Sequence, residues 1–300
     1  MAARAILRTQ RPAALTAGLL GATGVGLWVT KSYFIKNVFA ESPEPPTVFS
    51  SWFGQSLKLG SSEVVNHNTK RLRFEFPDED ARSGLVLTSS VLVITWPKGK
   101  IFPTVRPYTP ASSLDQRGAI DLLVKKYPDG KASTYLHSLS PGDSLYFAGS
   151  LKGYNWTPNK HPHITLIAGG AGITPMYQLI QGILLNPADK TRITLVFGVN
   201  SDADVLFRKE FEELERDFGS ERFRAMYTVS RPEEGSLYRK GYVTRELLEQ
   251  VSGRADDGSK VFVCGPPAME RALLGGRSFA SGKGGVLEEL GYRKDQVHQF

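Results

Sequence analysis

Two glycine-bearing stretches and one arginine-tyrosine segment carry most of the chemistry open to this chain. An apolar run, Ile164–Ala168, leads straight into Gly169-Gly170-Ala171-Gly172-Ile173-Thr174-Pro175. Glycines let a phosphate approach the backbone, and a helix start supplies free N–H groups and the positive end of a dipole. Pro175 suits the first helical position, where no N–H is needed. Strand, glycine turn and helix in this order read as a dinucleotide pyrophosphate site, although G-G-x-G-x-T-P is not the G-x-G-x-x-G fingerprint. On the glycines alone, a tight strand-to-helix turn without a ligand is the alternative. A second run, Val261–Cys264, continues into Gly265-Pro266-Pro267. In a parallel sheet it reaches the same carboxyl edge, where open α/β folds bind ligands. Cys264 either belongs to that edge or is an ordinary buried small side chain.

Nearer the N-terminus, Arg106-Pro107-Tyr108-Thr109 ends an extended run. It offers a guanidinium for a pyrophosphate, a ring for a flat cofactor and a hydroxyl for a ring nitrogen. By itself it is an ordinary strand end. It gains weight from Leu122–Tyr127, containing Lys125 and Tyr127, and from Gly130-Lys131-Ala132-Ser133, where a glycine turn and helix start could hold phosphate. His161 and His163 share a face if extended, but no third ligand stands nearby, so they read as a solvated linker and no metal is expected.

The elements that must position these residues fall into two halves. From Trp52 to about Trp156, period-two runs such as Leu72–Phe76 and the apolar Val91–Ile94 alternate with Gly, Pro, Asp and Ser clusters, the pattern of a small antiparallel barrel. One short helix is expected over Ser133–Leu139. After Pro162, apolar strands (Ile164–Ala168, Ile193–Phe197, Phe223–Val229, Val261–Cys264) alternate with helices, the best at Phe207–Phe218, which makes a doubly wound parallel sheet. Gly275–Gly285 reads as a surface loop. The domains are therefore 51–156 for the barrel and 162–300 for the α/β half.

With 300 residues, 41% hydrophobic and 22% charged, the chain has enough apolar surface for two cores, and disorder, collagen and coiled coil are excluded. One cysteine closes no internal disulfide. The net charge of +7 belongs to the N-terminus: Arg4, Arg8, Arg11, Lys31 and Lys36 stand there without an acid, leaving 32 basic against 30 acidic residues after position 40. Nucleic acid therefore loses its main argument. Ala13–Thr30 is uncharged and apolar, and as a helix reaches about 27 Å, barely a bilayer core. Basic residues before it resemble a mitochondrial presequence, so residues 1–40 read as a targeting and anchor segment with membrane contact through residues 13–30; a cleaved leader and a signal anchor for another compartment are the alternatives. Residues 41–50, rich in proline, read as a linker.

RPYTP, LVKKYPDGKAS, LIAGGAGITPMYQL and VFVCGPPAM, in that order and spacing, resemble the NADH–cytochrome b5 reductases of the ferredoxin-reductase superfamily over about residues 55–300, most of all the fungal mitochondrial members. The resemblance implies an antiparallel β-barrel FAD domain followed by a doubly wound NAD(P)-binding domain. It also implies a monomer that passes electrons from NAD(P)H through FAD to cytochrome b5 or a similar small haem protein, in the mitochondrial outer membrane or intermembrane space. Carried over by position, Arg106, Pro107, Tyr108 and Thr109 hold the flavin; Lys125 and Tyr127 support flavin and nucleotide; Gly130, Lys131, Ala132 and Ser133 bind its phosphates and ring edge. Thr174 lies between flavin and nicotinamide, while Gly170, Gly172, Cys264, Gly265, Pro266 and Met269 shape the nucleotide pocket and Phe300 closes it. Thr109, Thr174 and Cys264 are the expected catalytic residues. Two departures stand out: the family usually reads G-K-M-S where this chain has Ala132, and it usually has an acid for the adenosine ribose where this chain has Ser230-Arg231. An arginine there accommodates a 2′-phosphate, so relaxed discrimination against NADPH is expected. A reductase for free haem, a quinone or an iron–sulfur protein, and a flavin or nucleotide sensor without turnover, remain alternatives.

Overall fold

Alternation in the first half builds one six-stranded antiparallel sheet, in the order β4-β3-β6-β1-β2-β5. Its strands are β1 (Gln55–Asn66), β2 (Thr69–Glu75), β3 (Ser90–Thr95), β4 (Thr104–Tyr108), β5 (Ala119–Lys125) and β6 (Ser144–Leu151). The computed structural model describes residues 44–49, 54–97, 99, 101–252, 255–256, 258–276 and 284–300. The expected targeting and anchor segment, residues 41–43 and 50 of the linker and residues 277–283 of the glycine-rich loop lie outside the described residues. Leu72 and Phe74 of β2 point inward and join Leu57, Leu59, Val91, Val93 and Phe147 in the barrel core, while Arg71 and Arg73 alternate outward. The barrel seam runs between edge strands β4 and β5. It is bridged by helix α1 (Lys131–Ser138), which contacts both, and by Ala111 N–H donating to the Asp121 carbonyl at 2.9 Å. Strand β5 breaks alternation because it is buried on both faces: Leu122 and Val124 enter the barrel core, Leu123 the core of the other half.

In the second half a six-stranded parallel sheet runs in the order β10-β9-β8-β7-β11-β12. These strands are β7 (His163–Gly169), β8 (Arg192–Val199), β9 (Phe223–Val229), β10 (Arg239–Lys240), β11 (Ser259–Cys264) and β12 (Val297–Gln299). The chain winds outward from β7 to β10, then crosses back to lay β11 on the other side of β7. This puts the topological switch point, where such sheets bind ligands, between the carboxyl ends of β7 and β11. The two strands pair in register from Ser259↔His163 to Cys264↔Ala168, so both sequence motifs leave the sheet side by side.

Helix α2 (Ile173–Leu184) is apolar nearly all round because it is enclosed: it lies on the sheet and meets the barrel half, where Gly182 leaves room for Leu87 and Gln178 Nε2 donates to the Ser89 carbonyl at 3.3 Å. It is preceded by a 3₁₀ turn, Gly170–Gly172, and begins at Ile173, so Pro175 is the third helical residue and not the first. Both positions spare an N–H at a helix start. The helix expected at Phe207–Phe218 runs over Arg208–Phe218 (α3). Phe207 stays outside it at φ 58°, its ring stacked on Tyr177 at 3.9 Å, and Phe218 is 37% exposed. The remaining helices are α4 (Arg245–Ser252), α5 (Pro267–Leu274) and α6 (Val286–Glu289).

Candidate active site

A cleft of about 1000 Å³ opens between the two sheets, and the motifs of both halves line it. On the barrel side β4 delivers Arg106, Pro107, Tyr108 and, just past its end, Thr109. Gly130 caps α1 without a side-chain hydrogen bond, and the first turn of α1 holds no acid. The backbone N–H groups of Lys131, Ala132 and Ser133 are thus free for an anion. Ser133 Oγ donates to the Gly130 carbonyl at 3.1 Å and accepts from Tyr127 N–H at 3.3 Å, which folds the turn tightly. Arg106 donates to the carbonyl of its neighbour Val105 at 2.8 Å and has no acid partner among the described residues. Burial pushes the Tyr108 hydroxyl up to about 12, against the opposing charge of Arg106, so Tyr108 stays a neutral ring.

On the opposite wall the glycines do a different job from the one expected. A Cβ on Gly172 would stand 2.1 Å from the Cys264 carbonyl oxygen, one on Gly169 2.7 Å from Pro266 Cδ, and one on Gly265 2.3 Å from Met269 Cε. These glycines let two strand ends press backbone to backbone. Gly170, at φ 51°, makes the turn. Burial, with Glu270 adding to it, pushes the Cys264 thiol up to about 12, so it carries a proton at neutral pH. Glu270, in the first turn of α5, accepts from Gly265 N–H at 3.1 Å and Gln299 Nε2 at 2.8 Å, tying this loop to the chain's last strand. Phe300 N–H donates to the Val263 carbonyl at 3.1 Å and its ring stacks on Phe262 at 5.8 Å. Thr174 Oγ1 donates to the Ala171 carbonyl at 3.2 Å.

Comparison with known proteins follows this division. Residues 56–156 match the oxidoreductase FAD-binding domain and residues 166–274 the oxidoreductase NAD-binding domain. The NADH-cytochrome b5 reductase 2 of Emericella nidulans is 47% identical over 96% of this chain and 90% of that protein. That of Phaeosphaeria nodorum is 50% identical over 82% of this chain and 74% of its own. The chain belongs to the NADH–cytochrome b5 reductase family. It is an oxidoreductase of FAD and NADH. The cytochrome b5 reductase domain of Ulva prolifera nitrate reductase superposes with a TM-score of 0.73 at 28% identity, covering 85% of this chain and all of that one. The CS-b5R domains of human Ncb5or share the fold at a TM-score of 0.68 and 24% identity, over 84% of this chain and 70% of that one.

For a reductase of this family the cleft fits the cofactors: a guanidinium with no acid partner among the described residues and three free helix-start N–H groups suit a pyrophosphate, and Tyr108 offers an uncharged ring. Most of the expected residues line the cleft, but four do not. Gly170 forms the turn behind it, beside the Tyr127 hydroxyl; Met269 packs beneath Gly169 and Gly265 as a support; Ser230 and Arg231 stand at the end of β9, two strands from β7. Lys125 lines the cleft but its amine is engaged across the domain junction, 2.6 Å from Asp204 Oδ1, with both side chains at most 10% exposed. His161 and His163 also have structural partners, in Tyr154 and Thr194.

Sequence reasoning missed Thr88, Gly153, His298 and Asp204. Thr88 and Gly153 meet at the cleft floor, where a Cβ on Gly153 would stand 2.2 Å from the Thr88 carbonyl. Thr88 takes φ 70°, which a β-branched residue rarely adopts, so its type gave no signal. Asp204 could have been suspected from Ser201-Asp202-Ala203-Asp204, since Ser201 and Asp204 form a capping box.

Proposed function

We propose that this reductase passes the electrons of NADH through FAD, one at a time, to the haem of cytochrome b5, while residues 13–30 anchor it to the mitochondrial outer membrane or hold it in the intermembrane space. The observation that carries the redox reading is the single cleft in which Arg106, Tyr108, Thr109 and the α1 start face Thr174, Cys264–Pro266 and Phe300. FAD, when bound, accepts two electrons together and releases them singly, which joins a hydride donor to a one-electron haem. The chain's own part is placement. Arg106 and the Lys131–Ser133 N–H groups bind the flavin's phosphates, and Tyr108 and Thr109 orient its ring. Gly172 keeps the two strand ends in contact, so Thr174 and Cys264 stay fixed relative to each other. The protonated Cys264 thiol offers a weak donor and no nucleophile, as hydride transfer needs none. The cytochrome b5 acceptor is supported by the names of the fungal relatives and of the Ulva domain; the anchor and the compartment are supported by the composition of residues 1–40.

Anaerobic mixing with NADH tests the first step: the yellow protein must bleach, and failure to bleach would leave a flavin or nucleotide sensor. Reduction rates across cytochrome b5, free haem, a quinone and an iron–sulfur protein test the second, and indifference to cytochrome b5 overturns the acceptor.

A further inference from the structure

The outer face of β3 should be polar, because in a half-buried antiparallel sheet the side chains opposite the core meet water. Here Leu92, Ile94 and Trp96 occupy it, alternating with the buried Val91, Val93 and Thr95. Register extends the apolar strip sideways: Ile94 pairs with Val105 on β4 and with Tyr146 on β6, which are 42% and 45% exposed. At the tip of the β3–β4 hairpin Trp96 is 58% exposed, Ile101 84% and Phe102 78%. Neither Ile94 nor Trp96, Ile101 or Phe102 lines the cofactor cleft, so flavin and nucleotide do not explain them. An apolar patch of this extent marks an interaction site.

Charge and composition select the occupant. The sequence has no acid between Asp80 and Asp115, and Lys98 and Lys100 stand between Trp96 and Ile101 in it; Arg82 and Arg106 in the same interval are committed to Asp115 and to the cleft. Tryptophan, isoleucine and phenylalanine in a stretch of sequence with two lysines and no acid have the composition of segments that lie in the headgroup layer of anionic membranes. The chain also has the reach: the fifteen residues from Lys31 to Pro45 extend to at most about 50 Å, more than the radius of a unit this size. We propose that the β3–β4 hairpin inserts Trp96, Ile101 and Phe102 into the surface of an anionic bilayer, a second contact beside the anchor. This rests on the reading of residues 13–30 as membrane-bound.

The test uses the full chain, loaded with FAD, with Phe102→Cys carrying a nitroxide spin label in a Cys264→Ser background, and Leu237→Cys, which is 96% exposed on the other half, as the reference. With phosphatidylcholine–phosphatidylserine vesicles, power saturation should show position 102 losing access to a water-soluble nickel complex and gaining access to oxygen, with position 237 unchanged. A chain that sediments with the vesicles while position 102 stays as open to nickel as 237 overturns the hairpin proposal and leaves the anchor standing. A chain that stays in the supernatant removes both. Shielding of position 102 only after cytochrome b5 is added overturns the lipid in favour of a protein partner. Ile101→Asp with Phe102→Asp, at positions too exposed to matter for folding, should abolish the shift seen from a label at Trp96→Cys.

Discussion

Removing the Asp204 carboxylate should loosen the junction between the two halves without emptying the flavin site. Asp204 accepts from Lys125 Nζ at 2.6 Å, Asn68 Nδ2 at 3.0 Å and Ser201 Oγ at 2.9 Å, so it joins the barrel's β5 and β1–β2 turn to the segment after β8. Burial by itself would raise this carboxyl, but hydrogen bonds from Lys125, Asn68 and Ser201, with the Lys125 charge, outweigh it and hold the group at about 2. Asp204→Ala leaves the Lys125 ammonium buried without an anion, which costs about 3 kcal/mol. For a unit of this size that lowers Tm by about 6–12 °C. The depressed value also gives the pH dependence. Because the folded group titrates below its ordinary 3.8, its stabilisation is complete above that value and is lost as pH falls toward 2. After allowance for solvent screening the loss is about 1–2 kcal/mol. Thermal and urea unfolding of Asp204→Ala, Lys125→Met and the double variant, between pH 7 and 2.5, measure both effects. Lys125→Met should keep its FAD, as the amine is committed to Asp204. If the two single variants add within about 0.5 kcal/mol, the pair is not coupled and the reasoning fails; loss of FAD from Lys125→Met would return the amine to the flavin.

Arg106→Ala removes a charge-assisted phosphate contact and should weaken FAD about ten- to a hundredfold, read as the flavin-to-protein absorbance ratio after gel filtration, whereas Thr109→Val should keep FAD and slow its reduction. Cys264→Ser should lower the rate of flavin reduction yet leave a measurable reductase, and the wild-type thiol should resist alkylation at pH 7 and react only toward its raised value of about 12; fast labelling at pH 7 would contradict the buried, protonated thiol. Arg231, Arg239 and Lys240 are exposed at the carboxyl ends of β9 and β10, so NADPH should be used comparably to NADH or better, and Ser230→Asp should restore a preference for NADH of about ten- to a hundredfold. A wild type that prefers NADH a hundredfold would show that this edge does not meet the ribose.

The path from sequence to site was shortest where local rules and tertiary packing agree. The Ile164–Ala168 run, the glycines after it and the second strand end at Cys264 indicated a carboxyl-edge site, and the β7–β11 crossover places both there. The reason for the glycines was not legible, because the backbone they accommodate belongs to a segment about ninety residues away. Strand β5 shows the same limit: its continuous apolar run signals burial on both faces, but only the docked second half shows that Leu123 belongs to a different core from Leu122. Phe207 is a core position, as its spacing suggests, but it packs on Tyr177 from outside the helix, in a left-handed conformation no pattern announces. Lys125 matched a family motif while its acid partner, far along the chain, belonged to no motif.

The seam of the barrel has a consequence for how the protein is made. Edge strands β4 and β5 are joined mainly through α1, and the first turn of α1 is also where the flavin's phosphates are expected. Unpaired strand edges recruit other chains, and a ligand that binds only the folded form holds that form in place. Flavin supply during synthesis should therefore act as a quality gate. Chains produced in riboflavin-poor cells should accumulate as aggregates through β4 and β5, and added riboflavin should raise the soluble yield before any difference in turnover per flavin is seen.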